Sequence, residues 1–274
     1  MKRVYLIAVE ALMLFAACDK IDSENLTVYD GAVINWTAGT AELDAVQRVF
    51  IEKFTGPKCS NCPRADETLD LLHHQYGDSL VLVSVNHPSG QGTPFPGDPD
   101  MRTDGGTMWD NYYGIDAIPS AFINRDKGQK YEGSMSTIGN AVAEAMRGTP
   151  VVALKVGAVM GSQVDIAVDL QFKKAYRQAT TLTVAIVEDS LVYNQILPDH
   201  TIDSAYRHNH MLRKVVTGFW GRDIETDGNI GEKVHGTLSC ELLAGCVAGN
   251  CHVVVFVSDK NSRLVLNSAV CKIE

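Results

Sequence analysis

Two cysteines two residues apart, Cys59-Ser60-Asn61-Cys62, are the best-spaced candidates for chemistry in this chain. Such a pair closes a small reversible disulfide. At a helix amino terminus, unpaired N–H groups and the helix dipole stabilise the Cys59 thiolate, making it the attacking or leaving sulfur. Cys62, one turn inward, then resolves the mixed disulfide. Zinc is the competing use of this spacing, but it needs further ligands, and His73 and His74 form no obvious second pair. Lys58 stands next to Cys59 and favours its thiolate electrostatically. Glu52 is a candidate proton relay, with a solvent-facing strand position as the alternative.

The flanking sequence supplies the elements to hold this pair. Residues 48–54 (RVFIEKF) read as a strand and 55–58 as a turn, with Pro63 at a first helical position. Ala65, Leu69, Leu72 and Tyr76 share one helical face, Gly77 stops the helix, and 80–85 (LVLVSV) read as a buried strand. Further on come an aromatic helix at 109–114, the dipeptide Ile118-Pro119, a strand at 121–124 and a helix over about 136–147. This order resembles a thioredoxin-like domain. The resemblance implies that Pro119 is the cis-proline that faces the CxxC and helps hold an extended substrate. Two positions depart from that pattern: Lys58 replaces an aromatic residue, and the inner-strand acid has no clean match, Lys53 lying nearest and Glu52 on the opposite pleat. Residues 88–107 form a Gly- and Pro-rich insertion, read as a flexible rim near the CxxC with Phe95 and Trp109 as candidate partner contacts. Its Asp98, Asp100 and Asp104 lack an EF-hand pattern.

From residue 149 the period changes to two. Residues 152–156, 164–172 and 182–186 alternate, and 253–257 and 264–266 bracket a hairpin turn, without long intervening helices, which predicts a β-sandwich, with an immunoglobulin-like topology preferred. The last hairpin, turning at 259–262, places Cys251 roughly opposite Cys271 and leaves Cys240 with Cys246, as structural disulfides. Four cysteines still allow three connectivities. His208 and His210 share a face if 206–213 is a strand. No third ligand is evident, so they are read as structural or partner-contact residues, and no metal or cofactor is expected.

The 274 residues carry 24 Lys+Arg against 33 Asp+Glu, a formal charge of −9 that disfavours nucleic acid as a partner. Residues 1–18 (MKRVYLIAVEALMLFAAC) have a basic start, an apolar run and a small-small-Cys ending, the form of a lipoprotein signal whose Cys18 is lipidated. That accounts for the odd count of seven cysteines: one anchors, six remain for an oxidising compartment. The expected layout is a signal at 1–18, a tether and extension at 19–46, an α/β thioredoxin-like domain at 47–148 and an all-β sandwich at 149–274.

Three segments, FTGPKCSNCP at 54–63, YYGIDAIPSAFINR at 112–125 and YRHNHMLRKVVTGFWG at 206–221, resemble the twenty-eight-kilodalton outer-membrane-protein-related lipoprotein family of Bacteroidota. The resemblance covers nearly all the mature chain. It implies attachment to the outer membrane, with the periplasmic or surface-facing side left open. Two functions fit. One is thiol–disulfide exchange on envelope or extracellular proteins through Cys59, Cys62 and Pro119. The other is a non-catalytic binding or envelope-assembly lipoprotein that uses the fold as a scaffold and keeps the disulfide shielded.

Overall fold

A computed structural model describes residues 31–274. The expected lipidation site Cys18 lies outside these residues. Strand β1 (Asn35–Ala38) comes first, then β2 (Val49–Thr55), α1 (Cys62–Tyr76), β3 (Leu80–Asn86), α2 (Asp104–Tyr113), β4 (Ser120–Ile123), β5 (Lys130–Glu132) and α3 (Ile138–Ala145). The second half contains β6 (Val152–Met160), β7 (Val164–Phe172), β8 (Thr180–Glu188), β9 (Leu191–Val192), β10 (Gln195–Ile196), β11 (Ile202–Asp203) and β12 (Arg207–His208). It ends with β13 (Met211–Val215), β14 (Arg222–Asp223), β15 (Lys233–Cys240), β16 (Cys251–Asp259) and β17 (Val265–Lys272). Among the described residues, no helix is long and apolar enough to cross a membrane.

The first half is thioredoxin-like. β2 runs parallel to β3 and antiparallel to β4, which continues into β5. Alternation along β2 divides its neighbours. Val49 and Ile51 pack with Ala65 and Leu69 of α1 and Ile138 and Val142 of α3. Phe50 and Phe54 point the other way, toward Trp109 of α2. Helix α2 starts earlier than the aromatic run implies, because the Thr103 hydroxyl caps it by accepting from Gly106 N at 2.9 Å. Gly105 also lets it approach the sheet closely, since a Cβ there would meet a Val215 methyl at 2.4 Å.

The second half is a β-sandwich. One layer has the order β1-β15-β7-β6, so residues 35–38, expected within the tether, are an edge strand of this layer. The facing layer is not separate from the first half. A single mixed sheet runs β17-β16-β8-β13-β3-β2-β4-β5, with β13 antiparallel to β8 and parallel to β3. Ser84 N donates to His210 O across this junction at 2.7 Å.

This continuity explains the apolar runs in β8 and β16. Leu182, Val184, Ile186, Val253, Val255 and Val257 fill the sandwich core. Ala185, Val187, Val254 and Phe256 on the reverse face join the cluster beneath α2. Strands covered on both faces cannot alternate with polar residues. Each large aliphatic side chain buried this way contributes roughly 1.5–3 kcal/mol.

A charged pair sits inside the α2 cluster. Glu52, read as a relay or a solvent-facing residue, is fully buried on the face of β2 opposite α1. Its Oε1 accepts from Arg125 Nε (3.0 Å) and Nη2 (2.5 Å), and its Oε2 accepts from Tyr113 OH (2.5 Å). The Arg125 guanidinium lies 4.5 Å from the Trp109 ring and 4.6 Å from Phe256. Trp109, expected at a partner surface, is wholly buried and donates from Nε1 to Phe219 O at 2.7 Å. Burial and Glu52 together hold the Tyr113 phenol well above its usual range. Replacing Glu52 with Gln leaves a buried cation without its counter-ion. Urea unfolding of Glu52→Gln is expected to show a loss of about 3–5 kcal/mol.

The final hairpin forms where the pattern predicts, but its register is two residues from the expected one. Cys271 lies opposite Val253, so Cys251 is its diagonal neighbour rather than its partner. Diagonal positions are about 7–8 Å apart, beyond ordinary disulfide reach. Cys240 lies opposite Val164 in the other layer. All four carboxy-terminal cysteines are thiols in this structure.

Candidate functional site

The CxxC follows β2 through a tight turn. Cys59 N donates to Gly56 O at 3.1 Å, and Cys62 N donates to Cys59 O at 3.3 Å as α1 begins. Pro63 occupies the first turn of α1, where no N–H is needed. Cys59 and Cys62 are joined as a disulfide, with Cα atoms 5.4 Å apart. The Ile118-Pro119 bond is cis, and Cys59 Sγ lies 3.5 Å from Ile118 O. The fold thus brings the Pro119 loop beside Cys59 and Cys62, although almost sixty residues separate them in sequence.

The disulfide is covered. Cys59 is 2% exposed and Cys62 0%, while Asn61 between them is open to solvent. Part of the cover comes from the second half of the chain, through the β10–β11 hairpin. Gln195, itself 1% exposed, donates from Nε2 to Cys59 O (2.9 Å), to Gly56 O (3.4 Å) and to Ile196 O (3.0 Å). Ile196 N donates to Pro57 O at 2.8 Å. The hairpin thus binds the backbone of the CxxC turn directly.

The 88–107 insertion forms the adjoining wall. Lys58 N donates to Gln91 O at 3.0 Å, and Lys58 Nζ donates to Thr93 Oγ1 at 2.8 Å. The same ammonium lies 5.5 Å from the Phe95 ring. Lys58 is therefore engaged by this wall, and the half-buried Phe95 packs beneath it. Asp98 accepts from Asn194 N (3.2 Å) and Nδ2 (3.0 Å), tying the wall to the hairpin. These contacts order the segment expected to be a flexible rim.

Beneath α1, Lys53 pairs with Asp66, whose other oxygen accepts from Tyr206 OH at 2.8 Å. Burial lowers the Lys53 ammonium to about 8, opposed by Asp70. Of the two alternatives for His208 and His210, the structural one is what the packing shows. His208 stacks on Tyr193 at 3.6 Å, and its Nε2 lies 3.4 Å from Tyr193 O. His210 meets the His73 ring edge-on at 5.1 Å, with Nδ1 3.4 Å from Asp189. Neither belongs to the one group of three close metal-type ligands among the described residues, Glu188, Cys246 and Cys251.

The Omp28 outer membrane protein family model matches residues 107–274. The chain belongs to this family. A search of curated proteins finds no match. Among solved structures, HBP35 of Porphyromonas gingivalis is similar at a TM-score of 0.66 and 17% identity, over 85% of this chain and 77% of that one. Protein AGR_C_4864 from Agrobacterium tumefaciens is similar at a TM-score of 0.51 and 19% identity, over 84% and 95%. At these identities the likeness concerns the fold. The thioredoxin-like half joined to a β-sandwich agrees with the sequence reading, and the disulfide within that fold supports potential redox activity.

Sequence reasoning missed Gln195. The turn signal Pro198-Asp199-His200 marks a hairpin, but nothing local shows that its buried glutamine reaches Cys59, 136 residues earlier.

The inward histidines give the fold an acid sensitivity. Burial lowers His208 to about 3 and His210 to about 4, from an ordinary value near 6.5. Both are neutral when folded and take up protons on unfolding. Their stabilisation is therefore full above about pH 6.5 and is lost as pH falls toward 4. In urea titrations, His208→Phe should keep the stacking and flatten this decline by about 1.4 kcal/mol per pH unit.

Proposed function

We propose that Cys59 and Cys62 form a thiol–disulfide exchange centre in an envelope lipoprotein, acting on envelope or extracellular proteins. The observation that carries this reading is the Cys59 sulfur lying against Ile118 O, in the cis Ile118-Pro119 loop, on an oxidised CxxC that opens α1. A substrate thiolate would attack Cys59, breaking the S–S bond and releasing Cys62 as a thiolate. A second substrate thiol would then displace Cys59, leaving an oxidised substrate and a reduced CxxC that has taken up its two protons. Family membership supports an envelope location, and lipid on Cys18 would anchor the chain to the membrane. Pro119 would position the incoming chain. Access requires the Gln195 hairpin to move from the CxxC turn.

A second reading rests on that cover. With Cys59 2% and Cys62 0% exposed, the disulfide would be a permanent staple within a binding or envelope-assembly scaffold. Gln195→Ala separates the two. Its loss removes the side-chain bonds to Gly56 O and Cys59 O, each worth about 0.5–1.5 kcal/mol net. Exchange predicts that Gln195→Ala is reduced by dithiothreitol roughly 10-fold faster than wild type, as the loss of about 1.4 kcal/mol of cover implies. It also predicts that Cys62→Ala traps mixed disulfides with peptide substrates. A folded Gln195→Ala protein that exchanges with no peptide disulfide would sink this reading in favour of the scaffold.

A further inference from the structure

The loop from β15 to β16 brings another pair of sulfurs together, at the opposite end of β8 from the β14 strand. It turns twice, through Cys246 N to Leu243 O (3.1 Å) and Asn250 N to Val247 O (2.8 Å). The chain thereby reverses between half-buried Cys246 and fully buried Cys251. Cys251 lies opposite Glu188 in the ladder, and both sulfurs and a Glu188 oxygen fall within 4.8 Å of one another.

We propose that Cys246 and Cys251 form a structural disulfide in the mature protein, independent of the Cys59–Cys62 pair. The two sulfurs already lie within 4.8 Å of each other, on a chain that reverses between them. Zinc is a poorer occupant. Glu188 already accepts from Val247 N at 2.8 Å through Oε1 and from the Arg213 guanidinium through Oε2. A dication there would face that guanidinium, and the group offers three ligands where a closed zinc site needs four. Cysteine chemistry also favours closure. The neighbouring Cys251 lowers the Cys246 thiol, while Cys246 and burial raise Cys251. Cys246, the more exposed, is thus the sulfur suited to attack.

Closure is written with a disulfide-class oxidant. The Cys246 thiolate attacks one sulfur of the oxidant, whose S–S bond breaks. Cys251 then displaces the bound sulfur, forming the Cys246–Cys251 bond. The pair loses two electrons and two protons, and the oxidant becomes a dithiol holding both protons. The product pins Val247 over Glu188 and so secures the buried end of β8.

Full-length protein extracted from membranes without reductant, alkylated and digested, tests this. A peptide spanning both residues that is unalkylated, and lighter than its reduced form by two hydrogens, is the expected result. Alkylation of both thiols, a link from either to Cys240 or Cys271, or one equivalent of zinc held by the free thiols would overturn it. A thermal measurement avoids reliance on a Cys246 variant that fails to fold. Phosphine treatment of Cys59→Ser/Cys62→Ser protein should lower Tm by about 4 °C, as expected for a short closed loop in a chain of this size. No shift in that variant would also overturn the proposal, without bearing on exchange at Cys59.

Discussion

A guanidinium shut away from water must find an anion and a polarisable enclosure, and Arg125 finds both where the halves of this protein meet. Its counter-ion comes from β2, its aromatic faces from α2 and β16, and the carboxylate's other donor from the end of α2. Each element is held to the others through one polar knot. Hydrophobic burial beneath α2 supplies cohesion but little direction, whereas the pair fixes how β2, α2 and β16 are placed. The neighbouring Asn124 adds to this, with its carbonyl accepting from Val265 N of the sandwich hairpin at 2.8 Å.

That rigid junction bears on the CxxC. The hairpin covering the disulfide belongs to the connection between β8 and β13, and both of those strands lie in the shared sheet. The cover is therefore carried by the scaffold and set against the CxxC turn by a few hydrogen bonds, two of them from the Gln195 side chain. Its attachment to the turn is polar, whereas the layers of the shared sheet are held by apolar cores. If one part of the site moves independently, this attachment is the weakest boundary around it.

The sequence made local matters legible. β2, the CxxC, α1 and β3 follow from short-range periodicity and from the placement of Pro63 and Gly77, and the 259–262 turn marks the last hairpin. β6 and β7 of the sandwich showed themselves by alternation. Long-range placement was opaque. Nothing near Ser84 indicates that its neighbour is Met211, and a buried Glu52 reads as a surface acid until Arg125 is found beside it. The hairpin turn was correct, yet a shift of two residues redirects the cysteines while leaving the apolar pattern intact, because the pleat repeats every second residue. Trp109 was read as a contact for a partner, and its partners proved to be within the chain itself.

β13 has a consequence for synthesis. The strand beside β3 is made of residues 211–215, so the edge of the redox-like half stays unpaired until more than 120 further residues have left the ribosome. Closing a loop of that length delays pairing, and an open apolar edge invites association with other chains in the interval. An exported protein built this way completes its first half only after its second half arrives, which suits a chain kept unfolded until it has crossed a membrane.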